Sequence, residues 1–173
     1  MPRPTLVATL ALALAACGDP AAPGGAAPSS SAAGGAVGVE APPVLDASAL
    51  GAWLPASVGM QPRQAVRDTA DAALGAEISR ASATYGPDLS LSVTDLGTAD
   101  MAEMMGYGWA LGGPPPLDVD GHPAQASGGV GRPHTVRVLA GRRFLVEAES
   151  PDAAAAEAAA RAVDLDGLAR AGR

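Results

Sequence analysis

From Gly18 to Pro43 the chain runs for 26 residues on little besides Gly, Ala, Pro and Ser, with Asp19 and Glu40 as its only charges. Such a stretch has no apolar periodicity and too little side chain to offset the cost of ordering it, so it is expected to stay disordered. That expectation fixes how much chain is left to fold. Setting aside 1–17 as a leader leaves a domain over 44–170, about 127 residues, enough for one small core and no second one. A linker of this composition spans roughly 5–6 Å × √26, or about 28 Å, and acts as a spacer.

The domain has few large side chains to build from. Apolar residues make up 48% of the sequence, but alanine supplies many of them, and the aromatics are Phe144, Trp53, Trp109, Tyr85 and Tyr107. The core must therefore be made of Leu, Val, Ala and Met. The formal charge is −7; without Arg3 of the leader, ten arginines face 18 carboxylates, a net −8. An acidic surface repels phosphates, so nucleic acid is not an expected partner. Lysine and asparagine are both absent from the sequence, which removes Schiff-base chemistry, a P-loop lysine and any N-glycosylation sequon. A single cysteine permits no internal disulfide and no cysteine-based zinc cage.

The first 17 residues read as a signal segment. One positive charge, Arg3, precedes a nine-residue apolar run, Leu6 to Leu14, which is too short to span a bilayer but suits a signal-peptide core. Leu14-Ala15-Ala16-Cys17 closes it. This segment resembles the lipobox of bacterial lipoproteins: a branched apolar residue, two small ones, then cysteine. The resemblance implies cleavage before Cys17, a diacylglyceryl thioether on its sulfur and acylation of the new amino terminus, which together hold a protein firmly to a membrane. Gly18 in place of aspartate after the cysteine points, by the same resemblance, to the outer membrane, facing the periplasm.

Along the domain, 46–53 reads as a short helix ended by Pro55, with Leu45, Ala49, Leu50 and Trp53 on one face. Residues 63–73 and 76–85 read as strands, and 89–94 alternates with period two. Thr98 is a candidate cap for a helix from 99 to about 111. Two hairpins follow, one turning at Asp120-Gly121 and one at Ala140-Gly141-Arg142. A last helix starts with Ser150 as cap and Pro151 at its first position, and carries Glu157 four residues before Arg161. The order predicts an α+β fold: an antiparallel sheet with helices packed mainly on one face, preceded by the signal helix and the disordered linker. The landmarks Trp53-Leu54-Pro55, Tyr85, Asp95, Gly121-His122-Pro123-Ala124, Arg143-Phe144-Leu145-Val146 and Val163-Asp164-Leu165 resemble those of small uncharacterised bacterial envelope lipoproteins. The layout is more distantly similar to PsbP/Mog1-type domains, which implies a binding or assembly module and no catalysis.

Several residue groups could carry chemistry. Met101 and Met105 lie four apart on one helix face, with Met104, Met60, His122 and His134 elsewhere; thioethers and imidazoles suit Cu(I). Trp109 extends the same stripe, and an apolar stripe at that spacing is normally core. Asp118-Val119-Asp120-Gly121-His122 opens like a calcium loop but has His122 and Gly129 where oxygen ligands belong, so a hairpin turn explains it better. Ser127-Gly128-Gly129 lacks the glycine of a nucleophile elbow. Glu147 and Glu149 are expected to point together to solvent, and Arg142-Arg143 to lie in a solvated turn. The reading is a non-enzymatic cell-envelope lipoprotein, anchored through Cys17, that meets the membrane through its lipid and another envelope protein through its domain. No cofactor is expected. The alternative is a periplasmic copper-binding protein using Met101, Met105, His122 and His134.

Overall fold

A computed structural model describes residues 43–73, 76–110, 112 and 116–173. The leader, Cys17 and the linker as far as residue 42 lie outside the described residues, as does the expected end of the second helix at 111 and 113–115.

The fold is α+β, and its body is an antiparallel sheet. The strands are β1 (Ser57–Val58), β2 (Gln61–Ala73), β3 (Ala76–Tyr85), β4 (Leu89–Asp95), β5 (Leu117–Val119), β6 (His122–Gly129), β7 (Arg132–Ala140) and β8 (Phe144–Ser150). They pair in the order β1-β2-β3-β4-β8-β7-β6-β5, every neighbour antiparallel. The clearest alternation in the sequence sets the central register. In β4, Leu89, Leu91, Val93 and Asp95 turn inward, while Ser90, Ser92 and Thr94 take the other face. Val93, Val146, Val138 and Ala124 lie side by side across β4, β8, β7 and β6, and Leu91, Ala148 and Val136 form the next row.

Three helices cover this inner face. They are α1 (Ala47–Leu50), α3 (Ala153–Arg161) and α4 (Leu165–Ala171). Ala156, Ala159 and Ala160 of α3, none of them exposed, meet the alanines and valines of the sheet. Small residues on both sides let helix and sheet approach closely, so dispersion contacts stand in for the missing aromatics. Tyr85 and Phe144, both fully buried, are the largest side chains of this core. Truncating Phe144 to alanine removes about 3–5 kcal/mol by transfer and cavity terms.

Local signals explain most element ends. Asp46 caps α1, which places Ala47 and Leu50 inside and leaves Ala49 exposed, and a 3-10 turn (Gly51–Trp53) continues it. Asp152, two residues beyond the expected Ser150, caps α3; Ser150 Oγ instead accepts from the Asp152 amide. Asp164 caps a further, separate helix, α4, accepting from the Gly167 amide. The hairpin turns stand where expected: Asp120 and Gly121 are both at positive φ, as a primed two-residue turn requires, and Gly141 and Arg142 are at positive φ in the three-residue turn 141–143.

The largest departure is the second helix. Thr98 does cap α2 (Ala99–Ala102), accepting from the Met101 amide, but regular helix stops there. A wide turn, Glu103–Tyr107, and a 3-10 turn, Gly108–Ala110, follow, and Gly106 at φ 86° breaks the ladder. Only glycine takes that backbone conformation without strain. The break lays Met105 and Tyr107 over the second face of the sheet, where they pack with Leu96, Met101, Ala102, Leu139 and Leu145 in a separate small core.

Candidate functional site

The second face of the sheet carries the chemistry. Its rows follow from register alone: Arg67, Ser82, Ser92, Glu147 and Arg137 lie abreast on β2, β3, β4, β8 and β7. The adjacent row runs Thr69, Arg80, Thr94, Leu145 and Leu139. One row is polar, and the other grades from hydroxyl and guanidinium to leucine. Where the broken helix stands over them, a cleft of about 470 Å³ opens, with Leu96, Met105 and Tyr107 as its apolar wall.

Its charges are arranged in a chain. Arg137 Nε donates to Glu147 Oε2 at 2.6 Å, and Arg80 Nη2 lies 3.5 Å from Glu147 Oε1 and donates to Ser92 Oγ at 2.8 Å. Both carboxylate oxygens thus face a guanidinium. The side chains are 50% exposed for Arg80, 32% for Arg137 and 21% for Glu147, so water reaches all three. Glu147 is therefore not the solvent-facing carboxylate expected: its strand phase does point outward, but two arginines and the broken helix partly cover it. Glu149 is exposed. Burial raises the pKa of Tyr107, Glu147 raises it further, and Arg137 and Arg80 pull it part of the way back. The phenol is thus neutral at physiological pH.

A second cluster sits where the chain enters the domain. Arg143 Nε and Nη2 donate to the two oxygens of Asp95, each at 2.7 Å, in a bidentate pair 4% and 0% exposed. The Leu45 and Gly97 amides donate to the same carboxylate at 2.8 Å, and Arg143 Nη2 also donates to the Pro43 carbonyl at 2.7 Å. Ser79 Oγ donates to the Leu45 carbonyl, and the guanidinium lies 5.2 Å from the Phe144 ring centre. Among the described residues no side-chain nitrogen or oxygen sealed from water lacks a hydrogen-bond partner, which a buried charge needs if it is not to destabilise the fold. Arg143 does lie in the turn with Gly141 and Arg142, as expected, but it is not solvated: Arg142 is exposed, while Arg143 is buried and plugs the sheet end.

The sequence-derived metal ligands do not converge. Met101 and Met105 belong to the small core on the second face. His122 and His134 share strand phase with Ala124 and Val136, on the inner face. The sheet therefore lies between the two pairs. His122 Nε2 sits 3.2 Å from Asp166 Oδ1 at the start of α4, and His134 packs beside Gly128, whose added Cβ would meet its backbone at 2.7 Å. Met60 and Met104 are exposed. No group of three His, Cys, Asp or Glu placed to hold a metal occurs among the described residues. Asp118 accepts from the Gly121 amide, a turn contact.

Sequence reasoning missed Arg80, Tyr107 and the partners of Glu147, because each depends on strand register or on the Gly106 break. For Asp95 a signal existed: it continues the inward phase of Leu89, Leu91 and Val93, and an inward carboxylate demands a partner. Comparison with protein-family models, with curated proteins and with solved structures gives no match, so the functional reading rests on the site itself.

Proposed function

We propose that this chain is a lipid-anchored cell-envelope protein, held through Cys17 and spaced from the membrane by residues 18–43, whose domain binds another envelope component without catalysing a reaction. It faces the periplasm from the outer membrane. The observation that carries the binding reading is the cleft beside the broken helix. It offers guanidinium, hydroxyl and apolar groups, which hold a ligand, while both oxygens of the one carboxylate among its described residues, Glu147, face arginines and are not presented as a base. A general base has to reach the proton that it abstracts. The clasp at Asp95 and Arg143 fits the same reading, since a domain on a tether needs its entry point secured to its core.

Mass spectrometry of the mature protein tests the anchor: the expected species begins at Cys17 and carries acyl chains, and an unmodified thiol or a retained leader would overturn it. Cross-linking in intact membranes tests the domain. A partner joined to the native chain and lost on Arg80→Glu supports the cleft as the contact; equal yields from both chains remove it.

A further inference from the structure

The identity of the ligand can be taken further, on the basis of the binding reading above. We propose that the cleft takes an organic monoanion: a carboxylate attached to an apolar, ring-sized body. Three observations carry this. First, the cleft's charge is positive where the protein's is negative: among the described residues that line it, the guanidiniums of Arg67 and Arg80 stand against one carboxylate, Glu147, which Arg137 also contacts. One carboxylate cannot balance two guanidiniums.

Second, among the described residues Arg80 is positioned but not used up. Its contacts with Ser92 and Glu147 are both made through Nη2, and a guanidinium has five donors in a rigid fork suited to a carboxylate. The serine holds the fork in place before any ligand arrives, so less ordering is lost on binding. Third, the opposite wall is apolar. Leu145, Leu96 and Met105 face the space with Tyr107, whose neutral phenol adds no charge to repel an anion. A head group at Arg80 and a body against Leu145 and Met105 would fill about 470 Å³ with matched chemistry. A wholly polar anion would leave the apolar wall wet, and a neutral amphiphile would leave the guanidinium fork without an anion.

Calorimetric titration of the full 173-residue chain carrying Cys17→Ser, so that no lipid is added, tests this with three probes of one shape: phenylbutyrate, phenylbutanol and phenylbutylamine. The carboxylate should bind about tenfold or more tighter than the alcohol, and the amine weakest. Arg80→Glu should reverse the order of carboxylate and amine, which a merely structural arginine would not do. If that variant loses its circular-dichroism signature, Arg67→Glu at the rim supplies the same readout. Alcohol or amine binding as tightly as the carboxylate, no binding to folded protein, or an order unmoved by charge reversal each overturns the assignment. Should all three probes fail while the membrane cross-link persists and still depends on Arg80, only the ligand class falls. Should the cross-link be lost and the carboxylate still bind, the envelope-partner reading falls alone.

Discussion

The molecule holds two arginine–carboxylate clusters of similar chemistry and opposite situation. At the chain's entry, Arg143 and Asp95 are sealed from water, and their carboxylate accepts four hydrogen bonds. On the second sheet face, Arg80, Glu147 and Arg137 stay between a fifth and a half exposed. The difference teaches what burial does to an ion pair. Out of water each charge depends wholly on its partner, so the pair is a structural lock and removing either half is severe. In contact with water the same groups contribute little to stability, and they remain able to exchange one partner for another. A lock suits the point where the chain enters its domain; an exchangeable pair suits the binding surface proposed above.

The largest effect expected tests the lock. Arg143→Met and Asp95→Ala should each cost about 3–5 kcal/mol, because each strands a buried charge. The double variant should cost less than the two singles added, since no uncompensated charge remains; the Leu45 and Gly97 amides still lose their acceptor and keep it from being neutral. Urea denaturation of the three variants measures this, and hydrogen exchange at the Leu45 amide reports the clasp directly. Protection there should vanish with Asp95→Ala. If Arg143→Met shifted the midpoint no more than a surface change does, the entry cluster would be as wet as the other and the contrast would be lost.

Much of the architecture was legible because it is written in short-range signals. The β4 alternation, the Asp120-Gly121 and Gly141-Arg142 turns, the Thr98 cap and the Glu157–Arg161 pair each need only neighbours within a few residues. What escaped depends on distant partners. Arg143 meets Asp95 across 48 positions, and beside Arg142 in the sequence it looks like turn surface. Glu147 has an outward strand phase, so period two predicts solvent; only the register that sets Arg137 beside it, and the helix broken at Gly106, make it part of a site. The methionine stripe is core material at Met101, which is 2% exposed, as an apolar stripe at that spacing predicts. The same periodicity could not show that the helix would end three residues before Met105.

The two tyrosines allow a second test of the contrast, with an intermediate effect. Tyr85, on the inner face, donates to the Pro55 carbonyl at 2.8 Å, and burial raises its pKa above 10.0, with Arg63 partly opposing. Tyr107 is raised by burial and by Glu147. For both, the folded chain keeps its proton to higher pH than the unfolded chain does. Between the unfolded value of about 10 and the folded one, the native state binds more protons, so stability is intact below that window and falls as pH rises through it. Tyrosinate absorbance followed with urea midpoints should show Tyr107 titrating in the folded protein and Tyr85 only as it unfolds. A Tyr85 phenol that ionised first, with the fold intact, would mean that the inner face is the wetter one.

The smallest effect is expected at Glu147, and it sharpens the comparison most. Glu147→Gln removes the carboxylate shared by Arg80 and Arg137 but leaves a side chain of the same shape on a partly solvated face. Stability should change by less than about 1 kcal/mol, because the guanidiniums regain water in place of the lost partner. The Leu45 amide should keep its protection, since the entry clasp is a separate network. Glu147 raises the Tyr107 pKa while both arginines lower it, so its neutralisation should bring the alkaline titration of Tyr107 down and leave that of Tyr85 in place. A fall in stability comparable to that of Arg143→Met would show that this carboxylate is also a lock. The charged row of the second face would then be core like the leucines beside it, and the cleft would have no groups free to exchange.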